Sequence, residues 1–138
     1  MVIVDASVAV KWVLPEIYSD EARALTFQTD MASPSFWRVE AASVLWKRHR
    51  KGELSQADIQ RLLARLSSIG VRSEDDPSDV DAALGLAARI PHSVYDCLYL
   101  AVAIRLDTIL VTADDRFIQG LAPCSDLARR AVHIGDYV

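Results

Sequence analysis

Cysteine and glycine are scarce in this sequence: two cysteines and five glycines stand among 138 residues. Cys97 and Cys124 are too far apart for a CxxC metal or redox pair, and two cysteines do not make a disulfide framework. Cys97 stands in an apolar run, so we interpret it as a small core residue. The sequence also has no Gly-rich phosphate loop and no GxSxG motif, which argues against P-loop nucleotide-binding proteins and serine hydrolases of the α/β type.

Long hydrophobic runs are lacking too. The longest, Cys97 to Ile104, is too short to cross a bilayer. The opening VIVDASVAV carries an aspartate after three apolar residues and does not resemble a signal peptide. We therefore expect a soluble, cytoplasmic protein with no membrane partner. A net charge of −4 and a pI near 5.3 count against a protein that wraps nucleic acid, but they allow an enzyme with a local basic patch and a metal ion.

The chain has the length of one domain, and its 51% hydrophobic content is sufficient for a core. Short apolar segments alternate with amphipathic ones, which predicts an α/β fold: a doubly wound parallel sheet with helices on both faces. The predicted strands are Val2–Val4, Met31–Pro34, Val71–Ser73, Thr108–Thr112 and Val132–Ile134. The predicted helices are Val8–Leu14, Ser19–Gln28, Phe36–Lys51 (capped by Ser35, ended by Gly52), Ser55–Ser68, Ser78–Ile90, Val94–Leu106 and a turn near Arg116–Gln119.

Three aspartates stand where an open parallel sheet has its functional crevice, beyond the carboxyl ends of the strands. Asp5 ends the first predicted strand, and Asp114 follows the strand Thr108–Thr112. Asp96 lies in the first turn of an almost wholly apolar helix, where we expect partial shielding from water. These residues also have a structural interpretation, because Asp5 and Asp114 are suitable N-caps and Ser93-x-x-Asp96 resembles a capping box.

Glu40 is a fourth acid in an unusual position. On a helical wheel it lies between Phe36 and Val44, within an apolar face, where a carboxylate is unfavourable unless compensated. An ion pair with Lys47 or Arg48 is one form of compensation. A divalent cation shared with the three aspartates is another, and carboxylates without cysteine or histidine favour Mg²⁺ or Mn²⁺ over zinc. Such an ion can activate water against a phosphodiester.

Four ordered sequence blocks carry a family resemblance. They are V-I-V-D-A-S-V-A-V-K-W-V-L-P from Val2, E-A-A-S-V-L from Glu40, H-S-V-Y-D-C-L-Y-L-A-V-A from His92 and L-V-T-A-D-D-R-F from Leu110. From Val2 to about Phe117 the chain resembles the PIN-domain ribonucleases, and most closely the VapC-type toxins of bacterial toxin–antitoxin pairs. The resemblance implies a single PIN domain over residues 1–138, a Mg²⁺ or Mn²⁺ site and endonucleolytic cleavage of RNA.

The resemblance also assigns residues. It implies that the catalytic acids are Asp5, Glu40, Asp96 and Asp114, that Asp5, Asp96 and Asp114 bind the metal, and that Ser7 and Thr112 are supporting hydroxyls. Ser43 departs from the family, whose members often carry asparagine there. Asp115 directly follows Asp114 and is a further supporting candidate, although the Thr112-x-Asp114 spacing favours Asp114 as the residue that faces the metal. His92 lies four positions before Asp96, but no other ligand has zinc-site spacing, so we interpret it as a loop residue.

One dense basic run offers a place for RNA. It is either a solvated helix end that complements the helix dipole or a contact for the RNA backbone, with Arg61 and Arg65 nearby. Its candidate RNA-binding residues are Lys47, Arg48, Arg50 and Lys51. The predicted helices 36–51 and 55–68 form a hairpin carrying Trp46 and a leucine stripe, which suits the helix of a partner. We expect a cognate antitoxin as that partner, an RNA substrate and a homodimer.

Two other classes of function remain open from sequence. One is a different phosphoryl-transfer protein on a similar sheet, such as a phosphatase or a phospho-receiver domain. It fits poorly, because Asp5-Ala6-Ser7 lacks the second acid that those sites usually need after the first strand. The other is a non-catalytic PIN-like binding module, against which the presence of all four acids argues.

Overall fold

Five short strands form a single parallel sheet in the order β3-β2-β1-β4-β5. The computed structural model describes residues 1–137 of the chain. The strands are β1 (Val2–Val4), β2 (Met31–Ser33), β3 (Val71–Ser73), β4 (Leu110–Thr112) and β5 (Ala131–His133). The order reverses between β1 and β4, and helices cover both faces, so the predicted doubly wound sheet is confirmed. The reversal places the crevice of the sheet between the ends of β1 and β4.

Eight helices connect and flank these strands in the described residues. They are α1 (Ala6–Ala9), α2 (Ser19–Gln28), α3 (Trp37–Arg50), α4 (Gln56–Ser67), α5 (Ser78–Arg89), α6 (Val94–Arg105), α7 (Asp115–Leu121) and α8 (Ser125–Ala128), with 3₁₀ turns at Val10–Trp12 and Ile134–Asp136. Helices α3 and α4 pack together as the predicted hairpin. Within residues 1–137, no helix is both long enough and apolar enough to cross a membrane.

The core is centred on β1 and α6. Ile3 and Val4 are fully buried, and α6 packs on both β1 and β4 with Leu100 and Val102 inaccessible to solvent. Cys97 lies in the same buried surface, as its apolar surroundings predict. The apolar α6 is therefore central, and its N-terminal turn, which carries Asp96, is presented at the crevice.

The first helix begins earlier than the sequence suggests. We predicted a helix from Val8, but α1 begins at Ala6 and gives way to a 3₁₀ turn. The reason is the side chain of Asp5, whose Oδ1 accepts a hydrogen bond from the Val8 amide at 3.2 Å and so caps the helix. Asp5 therefore has the capping role that one interpretation gave it, in addition to facing the crevice.

The start of α3 differs as well. Ser35 is not its cap: the N-cap position belongs to Phe36, which makes no side-chain capping bond. The Ser35 amide instead donates to Oδ1 of Asp75 at 3.0 Å, because the loop before α5 lies beside it. At the other end Gly52 adopts a φ of +79°, which explains why α3 ends where the glycine predicts. Helix α8 was not predicted.

Candidate metal centre

Four carboxylates from four separate elements line one cavity of about 260 Å³ at the crevice. Asp5 follows β1, Asp114 follows β4, Glu40 lies in the first turn of α3, and Asp96 lies in the first turn of α6. The fold therefore brings together all four acids that the sequence nominates. The other residues that line the cavity are Ala6, Ser7, Ser43, Val44, Lys47 and Tyr99.

Asp5 is held by three donors. Its Oδ1 accepts from the Ser7 hydroxyl at 2.5 Å and from the Val8 amide at 3.2 Å, while its Oδ2 accepts from the Thr112 hydroxyl at 2.5 Å. Burial, with a smaller contribution from the nearby Asp96 carboxylate, raises the pKa of Asp5 to about 6 even though the three donors lower it. Asp5 is thus fixed in place, and its carboxyl group gains a proton at a higher pH than an ordinary aspartate does.

Ser7 and Thr112 join the ends of β1 and β4. The Ser7 hydroxyl also accepts from the amide of Ala113 at 2.9 Å, and the Thr112 hydroxyl accepts from the amide of Asp114 at 3.1 Å. The two hydroxyl oxygens are 3.3 Å apart. Each of the two hydroxyls therefore connects Asp5 to the segment of chain that leads into Asp114.

Asp114 and Asp115 point to different surroundings. Oδ1 of Asp114 accepts from the amides of Arg116 and Phe117 at 3.0 and 3.1 Å and caps α7, and the residue lines the cavity. Asp115 is 77% exposed, and its carboxylate lies 3.4 Å from Nε2 of His133, on the side of α7 that faces β5. Asp114 is therefore the acid that faces the crevice.

Glu40 is compensated by a tyrosine and not by the basic run. The hydroxyl of Tyr99 on α6 donates a short hydrogen bond to Oε1 of Glu40. Burial raises the pKa of Glu40, this hydrogen bond lowers it, and the Asp96 carboxylate raises it again. The ion pair of Glu40 with Lys47 or Arg48 that the sequence allowed is not formed.

The basic run divides into two parts. Arg48 is held by Glu16 at 2.5 Å and by Glu53 at 3.1 Å, so its guanidinium is already paired with two carboxylates. The other three cations remain around Trp46, which is 48% exposed: the Arg50 guanidinium lies 5.1 Å from the centroid of its ring. Trp46, Lys47, Arg50 and Lys51 line a shallow depression, and Lys47 also lines the carboxylate cavity.

Asp96 meets a residue whose role the sequence did not indicate. His92 lies in the loop before α6, as predicted, but its Nδ1 is 2.9 Å from Oδ2 of Asp96. Ligand atoms of His92, Asp96 and Asp114 lie within 4.8 Å of one another, a grouping that Asp5 does not join. Asp96 thus stands between an inner group of carboxylates and this imidazole.

The donor atoms fit a hard divalent cation. Carboxylate and hydroxyl oxygens dominate the cavity, and Mg²⁺ and Mn²⁺ prefer such ligands. Burial and the charge of Asp96 raise the pKa values of Asp5 and Glu40. A cation bound among these carboxylates stabilises their ionised forms and so opposes both effects. The carboxylates that line the cavity and are available to such an ion are those of Asp5, Glu40, Asp96 and Asp114.

Comparison with known proteins identifies the family. The model of the PIN domain matches residues 2–120, and the chain therefore belongs to the PIN-domain family, whose members are typically metal-dependent nucleases. Among solved structures, the crystal structure of PAE2754 from Pyrobaculum aerophilum is similar at 24% identity and a TM-score of 0.70, covering 96% of this chain and 88% of that one. This likeness concerns the fold. No curated protein sequence matches significantly.

Proposed function

We propose that this PIN-domain protein is a metal-dependent endoribonuclease and the toxin of a toxin–antitoxin pair. The observation that carries the proposal is the convergence of Asp5, Glu40, Asp96 and Asp114 on one partly buried cavity. Like charges crowded in such a place repel one another unless a proton or a cation compensates them. A structural set of helix caps does not require this crowding, whereas a site for Mg²⁺ or Mn²⁺ does.

Each residue has a defined task in this proposal. A bound divalent ion supplies an activated water and stabilises the charge that develops on a phosphodiester. Ser7 and Thr112 keep the Asp5 carboxylate oriented, since they donate to its two oxygens. Glu40, with its raised pKa and its hydrogen bond from Tyr99, is suited to hold a proton during hydrolysis.

The surface beside the cavity supports RNA as the substrate. Lys47 belongs to the walls of both the cavity and the Trp46 depression, so a phosphate backbone can follow the basic residues into the site. Trp46 is half-exposed and offers a face on which an unpaired base can stack, which favours a single-stranded segment.

An antitoxin and a second copy of the chain are the proposed protein partners. Leu62 and Leu66 of the predicted leucine stripe are buried in the core and are not available to a partner. Val39 and Trp46 are exposed apolar residues two helical turns apart on α3, the helix that also carries Glu40, and they suit an antitoxin helix. Co-expression with the product of a small neighbouring gene tests this: the pair should co-purify, and the second protein should inhibit cleavage.

The homodimer has a separate test on α5. Val80 and Leu84 are 59% and 62% exposed and lie one turn apart, which suits burial against a second copy. Light scattering should give twice the chain mass for the wild type and a monomer for Leu84→Glu. A monomeric wild type contradicts the dimer.

Cleavage of a mixed RNA pool tests the activity itself. We expect cleavage with Mg²⁺ or Mn²⁺, none in excess EDTA, and loss of most activity in Asp5→Asn and Asp96→Asn, because each change removes a charge from the metal site. Asp115→Asn is the matched control and should cleave like the wild type. Undiminished cleavage in EDTA contradicts the proposal.

A further inference from the structure

His92 adds a ring nitrogen to the outer side of the carboxylate cluster. A second cavity opens on that side and shares Asp96 and Asp114 with the first. Its lining residues are Pro91, His92, Ser93, Asp96, Asp114 and Arg116. The two aspartates therefore separate an inner space, where Asp5 and Glu40 lie, from an outer space that His92 borders.

The nitrogen that faces Asp96 has no hydrogen-bond partner. Nδ1 of His92 is buried and lies 2.9 Å from Oδ2 of Asp96, but the contact does not have hydrogen-bond geometry. That Oδ2 accepts instead from the Ser93 hydroxyl at 2.9 Å. Buried ring nitrogens without partners are uncommon, and an ion is one of the few groups that satisfies them. Nδ1 of His92 is therefore left without a partner, and ligand atoms of His92, Asp96 and Asp114 lie within 4.8 Å of one another.

The surrounding packing holds these donors in place. The His92 ring packs edge-on against Phe117 of α7, with centroids 4.9 Å apart and an interplanar angle of 87°. Helix α7 also fixes Oδ1 of Asp114 through the amides of Arg116 and Phe117. The same helix therefore positions both the imidazole and one carboxylate, and such fixed ligands favour metal affinity.

We propose that His92, Asp96 and Asp114 form a mixed imidazole–carboxylate site that selects Mn²⁺ over Mg²⁺. Imidazole binds transition-metal ions well, whereas Mg²⁺ prefers oxygen ligands and retains its water. His92 thus adds affinity for Mn²⁺ and little for Mg²⁺. The inference rests on the proposed metal site, because Asp96 and Asp114 belong to both, but it does not depend on the cleavage of RNA.

Metal binding to tag-free, metal-free protein tests the inference without any substrate. Pulsed electron paramagnetic resonance of bound Mn²⁺ should show a nitrogen hyperfine coupling in the wild type and none in His92→Gln. By calorimetry, His92→Gln should weaken Mn²⁺ binding by about tenfold or more, whereas Mg²⁺ binding should change by less than about threefold. The measurement on the wild type stands even if the variant folds poorly.

His49→Gln is the matched control. The Nδ1 atom of His49 is 2.8 Å from the Leu54 carbonyl, and the residue lines neither cavity, so its loss should change neither the nitrogen coupling nor either affinity. A wild type without nitrogen coupling overturns the inference, as does an equal loss of Mn²⁺ and Mg²⁺ affinity in His92→Gln. If bound Mn²⁺ shows nitrogen coupling but the protein cuts no RNA, this inference is supported and the proposed function is overturned. If the protein cuts RNA but bound Mn²⁺ shows no nitrogen coupling, the proposed function is supported and this inference is overturned.

Discussion

The hydroxyl of Thr112 donates a hydrogen bond to Oδ2 of Asp5 at 2.5 Å, although the two residues are separated by 107 positions in the chain. Thr112 ends β4 and Asp5 follows β1, and these two strands are neighbours at the point where the strand order reverses. The same hydroxyl accepts from the Asp114 amide at 3.1 Å. One threonine therefore joins the carboxylate of Asp5 to the backbone of Asp114 at the candidate metal centre.

Replacing Thr112 by valine tests this relationship. Thr112→Val keeps the shape of the side chain but leaves one oxygen of Asp5 and the Asp114 amide without their partner, so we expect the free energy of unfolding to fall by about 1–3 kcal/mol. RNA cleavage should fall by about tenfold or more, because a ligand loses its orientation. Urea unfolding and initial cleavage rates are the measurements.

The control for Thr112→Val is Thr26→Val. Thr26 is half-buried on α2 and does not line the cavity, and its hydroxyl donates only to the Arg23 carbonyl at 2.7 Å. Its replacement should change stability by less than about 0.5 kcal/mol and leave cleavage intact. If the two variants behave alike, the hydroxyl of Thr112 does not position Asp5.

The raised pKa of Asp5 predicts how stability depends on pH. Burial raises this pKa from 3.8 to about 6 in the folded protein. Between pH 3.8 and about pH 6, the Asp5 carboxyl is therefore protonated in the folded state but mostly ionised in the unfolded state. The contribution of the protonated Asp5 carboxyl to the free energy of unfolding is fully present below pH 3.8 and is lost as the pH rises through about 6. Without metal, the wild type should therefore lose up to about 3 kcal/mol relative to Asp5→Asn between pH 4 and pH 7, since each pKa unit corresponds to about 1.4 kcal/mol.

Denaturant unfolding in EDTA at several pH values measures this difference. Glu40 contributes a slope of the same sign to both proteins, so the difference between them isolates Asp5. Asp115→Asn, whose side chain is exposed, should run parallel to the wild type. An Asp5→Asn variant that keeps the full pH dependence of the wild type would contradict the assigned burial effect.

The basic surface predicts a separation between binding and catalysis. Arg50→Gln/Lys51→Gln should raise the KM for RNA with a much smaller change in kcat, and should reduce the salt dependence of binding by about 0.7 per lost phosphate contact. Trp46→Ala should weaken binding by about 1–3 kcal/mol if a base stacks on the indole ring. Fluorescence titrations at several salt concentrations provide the slopes.

Arg48→Gln is the matched control within the same run. It removes the same charge from the same helix, but Glu16 and Glu53 already hold the Arg48 guanidinium, so RNA affinity at low salt should barely change. If Arg48→Gln weakens RNA binding as strongly as the changes at Arg50 and Lys51, the effect is one of general charge and the depression is not an RNA site.

The sequence predicts the sheet and the four acids because both depend on local pattern. Strands such as Val2–Val4 follow from apolar runs between helices, and the position of Asp5 and Asp114 follows from the rule that crevices lie at strand ends. The sequence does not predict contacts that depend on the direction of a side chain across elements. Tyr99 is not distinguished in the sequence from the apolar residues of α6 that surround it. Its hydrogen bond to Glu40 depends on how α6 packs beside α3.

The same limit explains two other differences. Arg48 stands in a charged run that suggests a solvated or RNA-binding surface, yet Glu16 from the loop before α2 reaches it across the fold. His92 has no partner at a familiar metal-ligand spacing except Asp96, and Asp114 joins the pair only because β4, which it follows, packs against α6. The sequence pattern that could have indicated this contact is a histidine four residues before an aspartate in the first turn of a helix.

The last prediction separates the metal cluster from helix capping and uses the adjacent pair Asp114 and Asp115. Asparagine caps a helix about as well as aspartate, so Asp114→Asn should keep its two bonds to α7. It also removes one charge from the crowded cavity, which should stabilise the metal-free protein by on the order of 1 kcal/mol. For a domain of this size, we expect a Tm a few degrees above that of the wild type in EDTA and a smaller gain from millimolar Mg²⁺.

Thermal melts of the whole series complete this test. Asp5→Asn and Asp96→Asn should behave like Asp114→Asn, because all three remove charge from one cavity. Asp115→Asn should melt like the wild type in both conditions, since its carboxylate is exposed and lies beside His133. If Asp115→Asn shows the effect and Asp114→Asn does not, the wrong aspartate has been assigned to the metal. If none of the variants melts higher in EDTA, the carboxylates do not repel one another across the cavity, and only their capping bonds explain where they lie.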